Sequence, residues 1–186
     1  MAQLMYGMLT SLDGYTEDAT GNFDFAEPDE DLHAYFNDID RLVGTHIYGR
    51  RMYETMVYWE TAHQEPDASE VHLDYARVWQ SASKVVYSTT LESVSSERTQ
   101  LKRTFDPDAV RDMKRTAERA ISISGPNLAA AALRAGLVDE IQQYICPVVI
   151  GNGTRFLPDD LRLNLELIEE RRFASGVVAL RYTVKP

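Results

Sequence analysis

The chain has 186 residues, 44% of them hydrophobic and 26% charged, which suits one soluble domain with a sizeable core. Its net charge of −10 argues against nucleic acid as a partner, because that recognition relies on clustered Lys and Arg. No apolar run is long enough to cross a bilayer, no basic and apolar leader opens the chain, and Cys146 is the only cysteine; a cytoplasmic protein without internal disulfide or multi-cysteine zinc site is expected.

Leu4 to Leu9 reads as a central strand, and Ser11-Leu12-Asp13-Gly14 turns out of it into a polar loop from Thr16 to Phe25. Pro28-Asp29-Glu30-Asp31 reads as a helix start with acids in the first turn, and Leu32, Tyr35, Phe36, Ile39 and Val43 follow at helical spacing. His46-Ile47-Tyr48 is a brief strand, and Gly49-Arg50-Arg51-Met52-Tyr53-Glu54 turns into a second helix. Ser69 to Ala82 carries Val71, Tyr75, Val78 and Trp79 on one helical face. Lys84 to Tyr87 is a strand ending at Ser88-Thr89-Thr90, a weaker strand runs around Leu101 to Phe105, and a helix covers about 107–119. Ala120 to Ile123 then reads as a buried strand. Gly125 turns the chain, Pro126 suits the first helical position, the alanines propagate a helix, and Gly136 ends it in the left-handed conformation. The next strand begins near Val138 and an apolar segment runs on to Ile150. Leu161, Leu163, Leu165 and Leu167 alternate along a long strand, Ala174-Ser175-Gly176 turns, and Val178, Leu180, Tyr182 and Val184 alternate along its partner. Helices that interleave with strands before a closing hairpin imply an α/β fold with three layers, its mixed, mostly parallel sheet ending in a C-terminal antiparallel hairpin. The whole chain, 1–186, reads as a single domain.

Three strand ends share one chemistry. Tyr48-Gly49-Arg50, Tyr87-Ser88-Thr89 and Ile123-Ser124-Gly125 each leave an apolar strand for small, hydroxylated or basic residues. Ligands of open α/β sheets gather outside the carboxyl ends of the strands, where helix N-termini converge. Gly49 permits close backbone approach, Arg50 and Arg51 offer guanidinium forks to a phosphate monoester, and Ser88 and Thr89 could donate to the same group. No Lys or Arg precedes Arg41, so an anionic cofactor finds its contacts after that point. The strict G-x-G-x-x-G dinucleotide fingerprint is absent.

Ser11-Leu12-Asp13-Gly14 after an apolar first strand, Gly49 to Glu54, and Ser124-Gly125-Pro126-Asn127-Leu128 leading to Gly136-Leu137-Val138-Asp139-Glu140 together resemble the dihydrofolate-reductase-like superfamily. Within it the chain is most similar to the C-terminal reductase domain of bacterial riboflavin biosynthesis and its stand-alone relatives. The resemblance implies a three-layer α/β/α fold, NADPH as cofactor and often a homodimer. It implies Arg50 and Arg51 at the adenosine 2′-phosphate, with Ser88 and Thr89 nearby. Gly125, Pro126, Asn127 and Leu128 would lie at the pyrophosphate, Ser11, Leu12 and Asp13 at the nicotinamide and substrate, and Gly151 close to the cofactor. The expected reaction is hydride transfer to a pteridine, a 5-amino-6-(5-phosphoribosylamino)uracil-like heterocycle or a small carbonyl compound. Two departures bear on the substrate. Tyr15 stands where riboflavin reductases commonly carry a basic residue, and Asn22-Phe23-Asp24-Phe25 stands where dihydrofolate reductases place a Pro-Trp pair.

Asp31 and Asp13 are the candidate proton donors, against plainer roles in complementing a helix terminus and capping a turn. Tyr35, Phe36 and Tyr53 are candidate walls of the substrate pocket, although such spacings also occur in cores. A nucleotide-binding protein without turnover would keep the cofactor motifs and lack a working acid; an interaction module would bind no NADPH at all. The exposed apolar hairpin face is expected to be covered by a second copy of the chain.

Overall fold

A computed structural model describes residues 1–185. The strands are β1 (Leu4–Thr10), β2 (Tyr15–Glu17), β3 (Val43–Gly49), β4 (Ser83–Tyr87), β5 (Thr99–Lys102), β6 (Ala120–Ser124), β7 (Glu140–Ile145), β8 (Thr154–Arg155), β9 (Asn164–Arg172) and β10 (Val178–Lys185). The helices are α1 (Glu30–Asp40), α2 (Arg50–Met56), α3 (Glu70–Ser81), α4 (Pro107–Thr116) and α5 (Pro126–Arg134). Eight strands form one sheet in the order β5-β4-β3-β6-β1-β7-β10-β9, while β2 and β8 form a separate pair. The six strands from β5 to β7 are parallel, and β10 joins β7 antiparallel and carries β9 as its hairpin partner. This is the three-layer, mixed-sheet α/β fold expected from the sequence.

Helices cover both faces. On one, Ile47, Ile121, Ile123 and Ile141 pack against Val110 of α4 and Ala129, Ala132 and Leu133 of α5. On the other, α1 sets Leu32, Tyr35 and Ile39 on Tyr144 and Phe173, and α3 sets Tyr75 and Trp79 on Tyr48 and Val86. Local chemistry sets the helix ends. Asp29 caps α1 by accepting from the Leu32 amide at 3.0 Å, and Ser69 and Asp106 cap α3 and α4 in the same way. Gly136 closes α5 at φ +64°.

Several boundaries differ from the sequence reading. Val43 opens β3 and does not continue α1, because the Arg41 and Leu42 amides already close the helix onto Asn37 and Ile39. The strand around Leu101 begins earlier, at Thr99, and α4 ends at Thr116. Leu161 and Leu163 lie ahead of β9 and pack on the main core, so the leucine alternation began before the strand did. The pair β2–β8 went unread, since three- and two-residue strands are too short to alternate. The edge strand β9 leaves Leu165, Leu167 and Ile168 38%, 47% and 50% exposed. Among the described residues no helix is long and apolar enough to cross a membrane.

Candidate active site

The site follows from the alternation of the central strands. On β6, Ile121 and Ile123 point into the core under α4 and α5, so Ser122 and Ser124 face the α1 and α3 side. On the adjacent β1, Gly7 faces the same side, flush with Gln142 of β7. Small side chains along the middle of this face, with His46 and Tyr48 of β3 on one flank and Gln142 and Tyr144 of β7 on the other, leave a trough that α1 and α3 roof over. The result is a cavity of about 770 Å³ that runs from the starts of α2 and α5 inward beneath α1, within the roughly 300–1,000 Å³ typical of ligand clefts.

Its mouth carries seven of the residues expected from the sequence to contact a cofactor, while Ser11, Leu12, Ser88, Thr89 and Gly151 lie outside its lining. Gly49, Arg50 and Arg51 at the start of α2 and Gly125, Pro126, Asn127 and Leu128 at the start of α5 all line it. Gly125 has φ +98° and ψ 117°, a conformation that glycine alone adopts freely. No side chain caps α5, whose first intrahelical bond runs from the Ala129 amide to the Gly125 carbonyl at 3.0 Å. The Asn127 and Leu128 amides precede that bond, so the helix end offers donors and positive potential. Gly49 is different: its φ of −77° is ordinary, and a Cβ there would meet only Leu128 at 3.9 Å. The fold itself does not require glycine at that position.

The two arginines are held apart. Arg50 Nη1 donates to Thr90 Oγ1 at 3.0 Å, which joins the β3 and β4 strand ends, and Arg50 Nε donates to Glu54 at 2.7 Å. Arg51 donates to both oxygens of Glu17, at 2.9 and 2.7 Å, so the β2 segment is tied across the cleft to α2. Glu17 also accepts from Thr154 Oγ1 at 2.6 Å. Ser88 is buried, and its Oγ accepts from the Thr90 and Leu91 amides; Thr89 is exposed on the same turn.

The remaining expected residues fall in two groups. Phe36 lines the cavity, edge-on to Tyr144 at 4.7 Å. The others lie outside its lining. Asp31 is exposed and paired with Arg171 at 3.0 Å, while Tyr35, one turn along, donates to Glu169 at 2.9 Å. Tyr53 is buried beneath the 95–96 turn, where its hydroxyl accepts from the Ser95 and Ser96 amides. Asp13 accepts from the Gly151 amide at 2.7 Å and the Ile150 amide at 3.2 Å, which ties the first turn to the 150–151 turn. The Ser11 hydroxyl and these amides hold its carboxyl below the usual range. Ser11 is fully buried and its Oγ accepts from the Tyr15 amide; Leu12 is exposed, and the Tyr15 ring lies under Arg155.

The carboxylate that does enter the cavity beneath α1 is Asp40. Its Oδ2 accepts from the Tyr75 hydroxyl at 2.6 Å, and burial pushes that phenol well above its ordinary range, so Tyr75 stays a neutral donor. Asp40 lies four residues after Phe36 and seven after His33, which also lines the cavity, so the three share one stripe of α1. That spacing is readable in the sequence, whereas the expected Asp31 and Tyr35 turn toward Arg171 and Glu169 of β9. The β7 side is closed by a polar chain in which Tyr144 donates to Gln142, Gln142 to Glu140, and Arg181 to Glu140 and Glu169.

Comparison with known proteins agrees with this architecture. Residues 2–179 match the model of the family described as the RibD C-terminal domain. The chain is 25% identical over 181 residues to the uncharacterized protein YyaP of Bacillus subtilis strain 168, covering 97% of this chain and 94% of that one. Among solved structures it superposes on a Shewanella sp. PV-4 protein provisionally assigned to riboflavin biosynthesis, with TM-score 0.76, 19% identity and full coverage of both chains. It also superposes on Enterococcus faecalis dihydrofolate reductase complexed with NADP(H), with TM-score 0.63, 11% identity, and 99% and 97% of the two chains covered.

Proposed function

The chain belongs to the RibD C-terminal domain family, and from that premise we propose that it is an NADPH-dependent reductase acting on a small heterocyclic or carbonyl substrate. The observation that carries this reading is one continuous cavity whose mouth presents the uncapped start of α5 beside Arg50 and whose interior sets the α1 carboxylate Asp40 among apolar walls and a few polar side chains. The donor set fits a phosphorylated dinucleotide. The Asn127 and Leu128 amides suit the pyrophosphate, and Arg50, tied to Thr90, suits the 2′-phosphate. Arg51 joins it once Glu17 gives way. When bound, NADPH supplies the hydride.

The chain's own residues orient the acceptor and manage its proton. Phe36, Met5 and Met52 offer apolar walls to a flat ring. Asp40, rather than Asp31, takes the role of proton relay, with the Tyr75 hydroxyl fixed on it. We further propose a homodimer built on the exposed β9 edge. Loss of reduced-nicotinamide absorbance against a panel of pteridines, aminopyrimidine ribosides and small carbonyl compounds tests the reaction. Turnover of one panel member at a rate that falls in Asp40→Asn supports the proposal. Tight NADPH binding without turnover of any of them would favour the nucleotide-binding reading instead.

A further inference from the structure

The inner end of the cavity holds a polar group that the proposed hydride chemistry leaves unused. His46 is 1% exposed and lies on the cavity face of β3, in register with Ser122 of β6. Its Nδ1 contacts Ser122 Oγ at 3.1 Å, and its ring stacks on Tyr48 with centroids 5.6 Å apart and planes 7° from parallel. Tyr48 is held in turn by the Trp79 indole, which donates to its hydroxyl at 3.1 Å. The imidazole is therefore fixed in position and orientation. Its other nitrogen, Nε2, is buried without a hydrogen-bond partner.

Buried polar atoms in folded proteins are nearly always satisfied, so an orphan calls for an explanation. Two other side-chain atoms share this state among the described residues, Glu60 Oε2 and Tyr87 Oη, and neither residue lines the cavity. Burial favours the neutral ring, which leaves one nitrogen an acceptor and the other a donor.

We propose that His46 is a specificity-determining residue whose Nε2 hydrogen-bonds an exocyclic amino or carbonyl group of a planar nitrogen heterocycle at the inner end of the cavity, with Ser122 as the residue that positions the ring. This rests on the cavity being the substrate site, as the proposed function has it. Cavity polarity at that end then selects heterocycles with a polar edge over apolar rings of the same shape, because an apolar edge leaves Nε2 unsatisfied.

The test is equilibrium binding of three probes, diaminopyrimidine, uracil and dimethylpyrimidine, read by tryptophan fluorescence, since Trp59 lines the cavity and Trp79 donates to the Tyr48 that stacks on His46. The unsubstituted protein is expected to bind the better of the first two about tenfold more tightly than dimethylpyrimidine, a difference of about 1.4 kcal/mol. His46→Phe, which keeps a ring on Tyr48, is expected to erase that preference while NADPH affinity stays the same. A nitrogen-detected NMR titration of the unsubstituted protein provides the second readout and needs no variant. The His46 Nε2 resonance should move with the preferred probe and stay still with dimethylpyrimidine. Absence of a preference, its survival in His46→Phe, or an unmoved Nε2 resonance would each overturn the proposal. Failure of NADPH to bind would defeat the reductase reading instead, and the probe preference would still be measured.

Discussion

Replacing Glu17 by Gln isolates the contribution of one surface contact to cofactor choice. Glu17 accepts from Arg51 through both carboxylate oxygens at 2.9 and 2.7 Å, and the Arg51 side chain is 65% exposed. Exposed ion pairs are worth about 0–1 kcal/mol, and the bidentate geometry puts this one in the upper half of that range; a 2′-phosphate must displace it before Arg51 can bind. The amide keeps the shape and can still accept from Thr154, which now donates at 2.6 Å, so the loop should hold its place. Releasing the guanidinium then returns about 0.5–1 kcal/mol to phosphate binding, a two- to fivefold gain. Calorimetric titration with NADPH and NADH reads this directly. NADPH affinity should rise by that factor in Glu17→Gln, NADH affinity should not change, and the gain should shrink as salt is added. An unchanged NADPH affinity, or an equal gain for NADH, would show that Arg51 does not face the 2′-phosphate.

Gly125→Val forces a β-branched residue into φ +98° at a backbone cost of about 1–3 kcal/mol; circular dichroism should show a folded protein whose NADPH binding is lost, and retained affinity would make the turn purely structural. Arg181→Met removes the cation from Glu140, which is 3% exposed and 2.8 Å away. Urea denaturation should show a loss of about 3–5 kcal/mol, as for other broken buried pairs, with part of it regained when Glu140→Gln is added; a loss below about 1 kcal/mol would count against that assignment. The β9 edge predicts a dimer in sedimentation equilibrium at micromolar concentration, whereas a mass at the 21.1 kDa of one chain would reject it.

The parts of this fold legible in the sequence were those set by local chemistry. Gly125, Pro126 and Gly136 mark α5 because turn, start and stop each need a particular residue type, and the structure places all three as read. Helices α3 and α4 also start where the sequence puts them, and the structure shows Ser69 and Asp106 capping them. What the sequence left open was set by rotation and by neighbours. Asp31 and Asp40 sit on one helix, and only the seating of α1, with Leu32, Tyr35 and Ile39 buried on Tyr144 and Phe173, decides which carboxylate turns into the cavity. Arg51 reads as a candidate phosphate ligand, but its pairing with Glu17 joins residues 34 positions apart through a strand pair of two and three residues. The alternation Ile-Ser-Ile-Ser in β6 did carry a signal. Serines opposite buried isoleucines on a central strand mark a face that something other than core must fill.

The claim that this cleft holds NADPH is tested most directly by titrating the unsubstituted protein and Arg50→Ala, each with NADPH and with NADH, in one calorimetric series. One site per chain is expected, with tighter binding of NADPH than NADH and a loss in Arg50→Ala of about 1–3 kcal/mol for NADPH alone, the range of a charge-assisted hydrogen bond. Equal affinity for the two cofactors, or an Arg50→Ala variant that binds NADPH as the unsubstituted protein does, would contradict that claim.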